Sequence, residues 1–67
     1  MTKVIRLNGE SYSTAAPSIS ELLGELELAS INVAVEYNRE ILQKSFYQST
    51  NLVDGDEIEI VHCVAGG

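Results

Sequence analysis

The sequence has few basic residues and contains no long apolar run. Four Lys and Arg residues stand against ten Asp and Glu residues, which gives a net charge of −6. Nucleic-acid binding depends on clusters of basic side chains, so this balance argues against a nucleic-acid partner and favours a protein partner with a basic docking surface. A membrane-spanning helix needs about 20 consecutive apolar residues, and no stretch approaches that, so we expect no membrane association.

Cysteine and histidine each occur only once. Because Cys63 has no second cysteine to pair with, an internal disulfide is excluded, which is typical of a reducing compartment. His62 and Cys63 are adjacent and have no other soft ligands near them, so we expect no metal and no bound cofactor. The first ten residues also lack the apolar segment of a secretion signal, and we expect a cytoplasmic protein. We interpret Cys63 as an ordinary strand residue.

The length and the apolar content predict one small folded domain. The chain has 67 residues, of which 45% are apolar, and this suffices for one core but not for two. A chain of this size buries about 60% of the surface that it exposes when unfolded. We therefore expect a single domain over residues 1–67, in which residues 64–67 form a tail.

A helix is predicted over residues 19–27. Ser18 and Glu21 form a capping box before it, in which each side chain satisfies a free backbone N–H near the other residue. Four apolar residues recur at the spacing of one buried helical face: Ile19, Leu22, Leu23 and Leu26. This stripe predicts that the helix packs against a sheet, although Gly24 weakens the helix by about 1 kcal/mol relative to alanine.

Five short strands are predicted around this helix, at residues 3–7, 10–14, 32–38, 41–42 and 57–60. Asn8-Gly9 predicts a hairpin turn, because an Asn-Gly pair readily takes positive φ, and the second strand is polar enough for a sheet edge. Asp54-Gly55-Asp56 predicts a sharp turn, whose acidic residues we interpret as turn formers and surface charge. Phe46 and Tyr47 predict a loop held down by its aromatic side chains. Alternation turns one set of side chains inward: Val33, Val35, Tyr37, Ile58 and Ile60.

The order strand, strand, helix, strand, short strand, strand predicts an α+β domain. A single helix has to cover one face of one mixed sheet, since nothing else can bury the leucine stripe. The first hairpin is antiparallel, and the final strand can lie parallel to the first in the middle of the sheet. This arrangement is the β-grasp, or ubiquitin-like, fold with four to five strands and a flexible C-terminal Gly-Gly tail. Other small α+β sheets share the same order of elements.

The whole chain resembles the ThiS/MoaD family of ubiquitin-like sulfur carriers. The resemblance covers residues 3–67 and rests on four segments: Glu21-Leu22-Leu23 with Leu26, Val33-Ala34-Val35 leading to Asn38, Leu52 with Asp54-Gly55-Asp56, and Val64-Ala65-Gly66-Gly67. A closing Gly-Gly about one strand after Asp-Gly-Asp is fairly specific, whereas either piece alone is weak. Within the family the chain is more similar to the thiamin branch, ThiS, than to the molybdopterin branch, MoaD. Proteins of the MoaD branch tend to be longer and to have two prolines where this chain has His62 and Cys63.

The resemblance implies a protein cosubstrate rather than an enzyme. An E1-like adenylyltransferase, ThiF, would adenylate the Gly67 carboxylate with ATP and magnesium, and a sulfur donor such as a cysteine desulfurase would convert the adenylate to a thiocarboxylate. Thiazole synthase, ThiG, would then use that sulfur for the thiazole ring of thiamin. Three alternatives stay open: a carrier for another pathway such as molybdopterin, a ubiquitin-like modifier joined to lysines, and an interaction domain with an idle end.

The tail predicted to enter partner active sites consists of Val64, Ala65, Gly66 and Gly67. Without Cβ atoms, the two glycines can lie in a narrow channel and bring the backbone close to a nucleotide. Four extended residues span at most about 13 Å, enough to reach into a pocket while the domain stays outside. We expect high mobility at Gly66 and Gly67, because a carrier offers the same end to successive enzymes.

A docking face is predicted on the side of the sheet opposite the helix. Strand parity places four residues there, Val4, Ala34, Val61 and Cys63, with Arg6, Glu36, Glu57 and Glu59 around them. An apolar centre within a polar rim is typical of a transient interface, so we predict that this patch meets a basic groove on the partner. The alternative is a solvated face with scattered valines.

Overall fold

The computed structural model describes residues 2–62 of the chain and contains one five-stranded sheet in the order β2-β1-β5-β3-β4. The strands are β1 (Lys3–Leu7), β2 (Glu10–Thr14), β3 (Val33–Tyr37), β4 (Glu40–Leu42) and β5 (Glu57–His62). The helix α1 (Ile19–Glu25) connects the first hairpin to β3, and short 3₁₀ turns occupy Ser30–Asn32 and Lys44–Phe46. This is the predicted architecture, and the two 3₁₀ turns are additions to it.

The sheet is mixed, and β5 lies at its centre. β1 pairs with β2 in antiparallel fashion and with β5 in parallel fashion, with Arg6 opposite Glu57. On its other side β5 pairs antiparallel with β3, which in turn pairs antiparallel with the short edge strand β4. The prediction that the final strand lies in the middle, parallel to the first, is confirmed.

The helix begins where the sequence predicts and ends earlier. Ser18 is the N-cap, and its Oγ accepts a hydrogen bond from the Glu21 N–H and donates one to the Glu21 carboxylate. The predicted capping box assigned that carboxylate to a backbone N–H instead. Residue 27 is not helical: Glu27 has φ 60, its N–H donates to Gly24, and the Leu28 N–H donates to Leu23. These two bonds form a Schellman motif, which ends the helix at Glu25.

The core lies between α1 and the helix-facing side of the sheet. The helix contributes Ile19, Leu22 and Leu23, and the sheet contributes Ile5, Val33, Val35, Ile58 and Ile60. Tyr47 is buried beside them, whereas Phe46 in the preceding 3₁₀ turn is 52% exposed. The prediction that aromatic side chains hold this connection down is therefore right for Tyr47 and wrong for Phe46.

Gly24 offers a direct test of how the helix limits stability. It lies inside α1, and a Cβ added there would meet no atom within 4 Å. We expect Gly24→Ala to raise the free energy of unfolding by about 1 kcal/mol, because alanine loses less backbone entropy in a helix. Urea unfolding followed by circular dichroism measures the change.

Gly55 is the matched control, since an added Cβ there also meets open space but the residue has φ +90. In this left-handed conformation alanine is strained, so we expect Gly55→Ala to lower the free energy of unfolding by about 1–2 kcal/mol. Equal effects of the two substitutions would show that backbone conformation does not set their sign.

Candidate functional site

The central strand β5 leads directly into the predicted tail. Val33 is the strand partner of His62, the last described residue of β5. Residues 63–67 lie outside the described residues, so the predictions for Gly67, for the mobility of the two glycines and for the face of Cys63 stay predictions. The described body determines where the tail starts, at the end of a strand that pairs with β3 as far as His62 but with β1 only as far as Ile58.

Asn8 holds β5 close to that end, which the sequence did not reveal. Its Oδ1 accepts a hydrogen bond from the Ile60 N–H at 2.8 Å, and its Nδ2 donates to the Ile60 carbonyl at 3.3 Å. Its own N–H donates to the Ile58 carbonyl. The sequence signal at this position, Asn-Gly, indicated a turn, but it gave no sign that the side chain binds a strand 52 residues away.

The beginning of β5 is held by a buried carboxylate. Asp56 is 6% exposed and accepts hydrogen bonds from the Tyr37 hydroxyl at 2.8 Å, the Val53 N–H at 2.9 Å and the Asn38 amide at 3.2 Å. The interpretation of Asp56 as surface charge is therefore wrong. Burial, and then the hydrogen bond to the Asp56 carboxylate, raise the pKa of Tyr37 above its ordinary value. Stability that depends on neutral Tyr37 is fully present below the unfolded-state pKa and is lost as the pH rises through the folded-state pKa.

The sheet face opposite the helix exposes the three described residues of the predicted docking face. Val4 is 47% exposed, Val61 is 58% exposed, and Ala34 is exposed as well. Ala34 and Val61 are direct partners across β3 and β5. Val4 lies at the other end of the sheet, since Arg6 is opposite Glu57 in the parallel pair. Val4 and Val61 are therefore six residues, or about 20 Å, apart along the direction of the strands.

Acidic side chains occupy the space between these two apolar positions. Glu36, Glu57 and Glu59 surround a shallow pocket of about 200 Å³ together with Arg39, whose guanidinium forms a 3.3 Å ion pair with Glu57. Strand parity predicted the correct face of the sheet for these residues. Their arrangement differs from the prediction: the face has an acidic centre with apolar residues at its two ends, and not a single apolar patch with an acidic rim. Ile41, which is 79% exposed and lies opposite Glu36, adds a further apolar residue to this face.

A second groove lies on the helix side of the sheet, beneath the end of β5. It has a volume of about 260 Å³ and is lined by Leu7, Asn8, Leu26, Leu28, Ile60 and His62. Within residues 2–62, no three His, Cys, Asp or Glu side chains are grouped to hold a metal ion. Across the same described part of the chain, no helix has the length and apolar character needed to cross a membrane.

Comparisons with known proteins agree with this geometry. The model of the ThiS family matches residues 5–67. The sulfur carrier protein ThiS of Bacillus subtilis is 39% identical over 66 residues, which cover 96% of this chain and 100% of that protein. The crystal structure of the thiamine biosynthesis protein ThiS from Geobacter metallireducens superposes with a TM-score of 0.81 at 29% identity, covering 96% of this chain and 99% of that one.

A much larger protein matches the chain over part of its length. A thiazole synthase of Paramagnetospirillum magneticum is 45% identical over 62 residues, which are 91% of this chain but only 19% of that protein. The chain thus spans about a fifth of that relative, while it spans the whole of the Bacillus subtilis carrier. The similarity to the thiazole synthase therefore concerns a segment the size of this small domain.

Proposed function

The chain belongs to the ThiS family, and from this premise we propose that the carboxylate of Gly67 is the group that carries sulfur. ThiS proteins are sulfur carriers of thiamine biosynthesis, so this protein is a cosubstrate and not an enzyme. The observation that carries the proposal is the family match itself, which extends through the last residues of the tail to Gly67.

The proposed chemistry solves the problem that a free carboxylate is a poor acyl donor. A carboxylate oxygen of Gly67 attacks the α-phosphorus of ATP, pyrophosphate leaves, and magnesium on the partner offsets the phosphate charge. The sulfur of a donor persulfide then attacks the acyl carbon, and AMP departs as the leaving group. Reductive cleavage of the sulfur–sulfur bond by a thiol leaves the thiocarboxylate, whose sulfur is the nucleophile for the next enzyme.

The described body supports a passive role in these steps. It contains no cysteine, because the only one in the sequence is Cys63, and it has no metal-binding group of side chains within residues 2–62. We propose that an E1-like adenylyltransferase, ThiF, binds ATP and magnesium, and that a sulfur donor such as a cysteine desulfurase carries the persulfide. The body's contribution is to hold His62 in place while the tail reaches into the partner. A cytoplasmic location, with its reducing conditions, suits a thiocarboxylate and the single cysteine.

Thiazole synthase is the proposed acceptor of the sulfur. Two thiazole synthases, from Paramagnetospirillum magneticum and Magnetococcus marinus, each match this chain over about a fifth of their length. A segment similar to the carrier in the same polypeptide as a thiazole synthase supports a direct encounter between the two. We therefore propose that a separate thiazole synthase, ThiG, receives the thiocarboxylate of this protein.

Loading of Gly67 can be tested by mass spectrometry. The protein is incubated with the adenylyltransferase, ATP, magnesium and a persulfide donor, and an oxygen-to-sulfur mass increase is expected at the C-terminal peptide. Omitting ATP is the control and should prevent the increase. An isopeptide with a target lysine would indicate a modifier, and failure to form any adenylate would overturn the carrier mechanism. Restoration of growth in a thiamin auxotroph, compared with a strain lacking molybdenum-enzyme activity, tests the pathway.

Val61 is the test position for the docking face. We expect Val61→Asp to lower kcat/KM for adenylation by about tenfold or more, because a charge placed in an apolar contact has to be desolvated when the partner docks. The measurement is pyrophosphate release by the adenylyltransferase at varied carrier concentration.

Val53 provides the control, since it is 56% exposed against 58% for Val61 but lies in the connection before β5. We expect Val53→Asp to leave kcat/KM within about twofold of the unmodified protein, as an exposed position outside an interface does. Val4→Asp then reports whether docking extends to the far end of the sheet. Unchanged turnover of Val61→Asp would remove this face from the mechanism.

A further inference from the structure

We propose that Asn8 is a positioning residue, whose side chain clamps β5 just before the tail and fixes where the tail leaves the body. This inference rests on the proposed function of Gly67. It concerns a residue far from the tail in sequence, and it adds a role in the adenylation step to a position that otherwise only forms a turn.

The clamp begins where strand pairing stops. β1 pairs with β5 at Arg6 opposite Glu57 and at Leu7 opposite Ile58. The chain then turns back at Asn8 and Gly9, which have φ 51 and φ 85, to form β2. β1 therefore accompanies β5 no further than Ile58, although β5 continues to His62.

The Asn8 side chain takes the place of the missing strand. A side-chain amide has one acceptor oxygen and donor hydrogens, as a peptide group does. The oxygen and the nitrogen of the Asn8 side-chain amide both bind the backbone of one residue, Ile60. Oδ1 lies 2.8 Å from the Ile60 nitrogen, and Nδ2 lies 3.3 Å from the Ile60 oxygen. Ile60 is also opposite Val35 on the β3 side, and its side chain is buried in the core. β5 is therefore held on both sides as far as Ile60, two residues before His62.

Loss of the clamp would release one side of the strand end. The N–H and carbonyl of Ile60 would bind water instead, and the segment up to His62 would be held by β3 alone. Because the tail starts from that segment, any added motion there is carried outward to Gly67. A displacement of about 1 Å at a reacting group can cost about a hundredfold in rate. The body would still dock, so the effect falls on kcat and not on KM.

Asn38 is a matched control within the same chain. It also lies in a tight turn with φ 51, and its side chain also makes two hydrogen bonds to the β5 region. Its Oδ1 accepts from the Glu57 N–H at 2.8 Å, and its Nδ2 donates to the Asp56 carboxylate at 3.2 Å. Asn38 therefore restrains the beginning of β5, while Asn8 restrains the end from which the tail departs.

The test compares Asn8→Gly with Asn38→Gly in the full chain. Glycine fits a left-handed turn at both positions, so each variant loses the side-chain bonds while the turn is kept. We expect Asn8→Gly to lower kcat for adenylation by about tenfold with KM unchanged, and Asn38→Gly to keep kcat within about twofold. Amide hydrogen exchange should become faster at Ile60, whose N–H loses its acceptor, in Asn8→Gly only.

Asn8→Asp serves as a second variant, because it retains the acceptor for the Ile60 N–H and loses the donor to the Ile60 carbonyl. We expect its kcat to lie between those of the unmodified protein and Asn8→Gly. Equal kcat values for Asn8→Gly and Asn38→Gly would overturn the positioning role of Asn8 alone. Failure of the unmodified protein to be adenylated would overturn the proposed function and, with it, this role.

Discussion

Deletion of Gly67 is expected to abolish thiocarboxylate formation, with a loss of at least about a hundredfold in the rate of adenylation. The shortened chain would end on the Gly66 carboxylate, about 3.5 Å behind the position of the original one. A body that is docked on the partner cannot advance to close this gap. The carboxylate would then lie outside bonding distance of the α-phosphorus of ATP. Mass spectrometry of the C-terminal peptide after incubation with the adenylyltransferase, ATP and a persulfide donor gives the result.

Gly67→Ala separates reach from shape, since it keeps the length of the tail and adds one Cβ atom. If the length of the tail determines the rate of adenylation, we expect Gly67→Ala to keep partial activity. If the partner's channel is too narrow for a Cβ atom, we expect a severe loss of activity. The deletion should leave the unfolding transition unchanged, because the core is formed by side chains between Ile5 and Ile60. Restoration of thiamin synthesis in cells by the deletion variant would contradict the carrier mechanism.

Local patterns were sufficient to predict most of the fold. The spacing of Ile19, Leu22, Leu23 and Leu26 predicted a helix with one buried face. The first three are in the core, whereas Leu26, the C-cap residue, is half-buried and packs against it. Alternation along β5 likewise predicted that Ile58 and Ile60 point inward. These predictions hold because the burial of an apolar side chain is decided mainly by the periodicity of its own element, which a single sequence displays. The order of the elements then allowed β5 to lie parallel to β1 in the middle of the sheet, and the resemblance of the whole chain to a known family favoured that arrangement.

Long-range register was beyond the reach of the sequence. Parity assigned Val4 and Val61 to the same face of the sheet, and both are exposed there. Their separation depends on how far β1 slides along β5, which is fixed by Arg6 lying opposite Glu57. No local pattern encodes that choice, since a shift of two residues would keep every side chain on its face. An acidic centre was therefore mistaken for an acidic rim.

Polar side chains with distant partners were missed for a related reason. Asn8 and Asp56 have the residue types that turns favour, and both do lie in or next to turns. The Asn8 side chain also binds the backbone of Ile60. The Asp56 carboxylate also accepts hydrogen bonds from the side chains of Tyr37 and Asn38. Nothing in a turn sequence specifies those distant partners. Glu27 was placed inside the helix because glycine is the usual residue where a helix ends with positive φ.

Asp56→Ala is expected to lower the free energy of unfolding by about 3 kcal/mol, because a buried carboxylate accepts hydrogen bonds from three different residues. Its removal takes the 2.8 Å acceptor from the Tyr37 hydroxyl, which keeps the Asn51 carbonyl at 3.3 Å, and takes the acceptor from the part-buried Val53 N–H. A buried polar group that loses its partner costs about 1–3 kcal/mol. The whole stability of a domain of this size is only about 3–10 kcal/mol. Urea unfolding at neutral pH should therefore show a midpoint that is lower by about 1–3 M, since each molar of urea lowers the free energy of unfolding of a small protein by about 1–3 kcal/mol.

Asp54→Ala is the control for Asp56→Ala, because it removes a carboxylate from the same turn at an exposed position. Asp54 accepts a hydrogen bond from the Val4 N–H at 2.8 Å, and water can replace it there. We expect a loss below about 1 kcal/mol, the range of an exposed hydrogen bond. Similar losses for the two variants would mean that the turn itself, and not the buried network around Asp56, stabilises the start of β5.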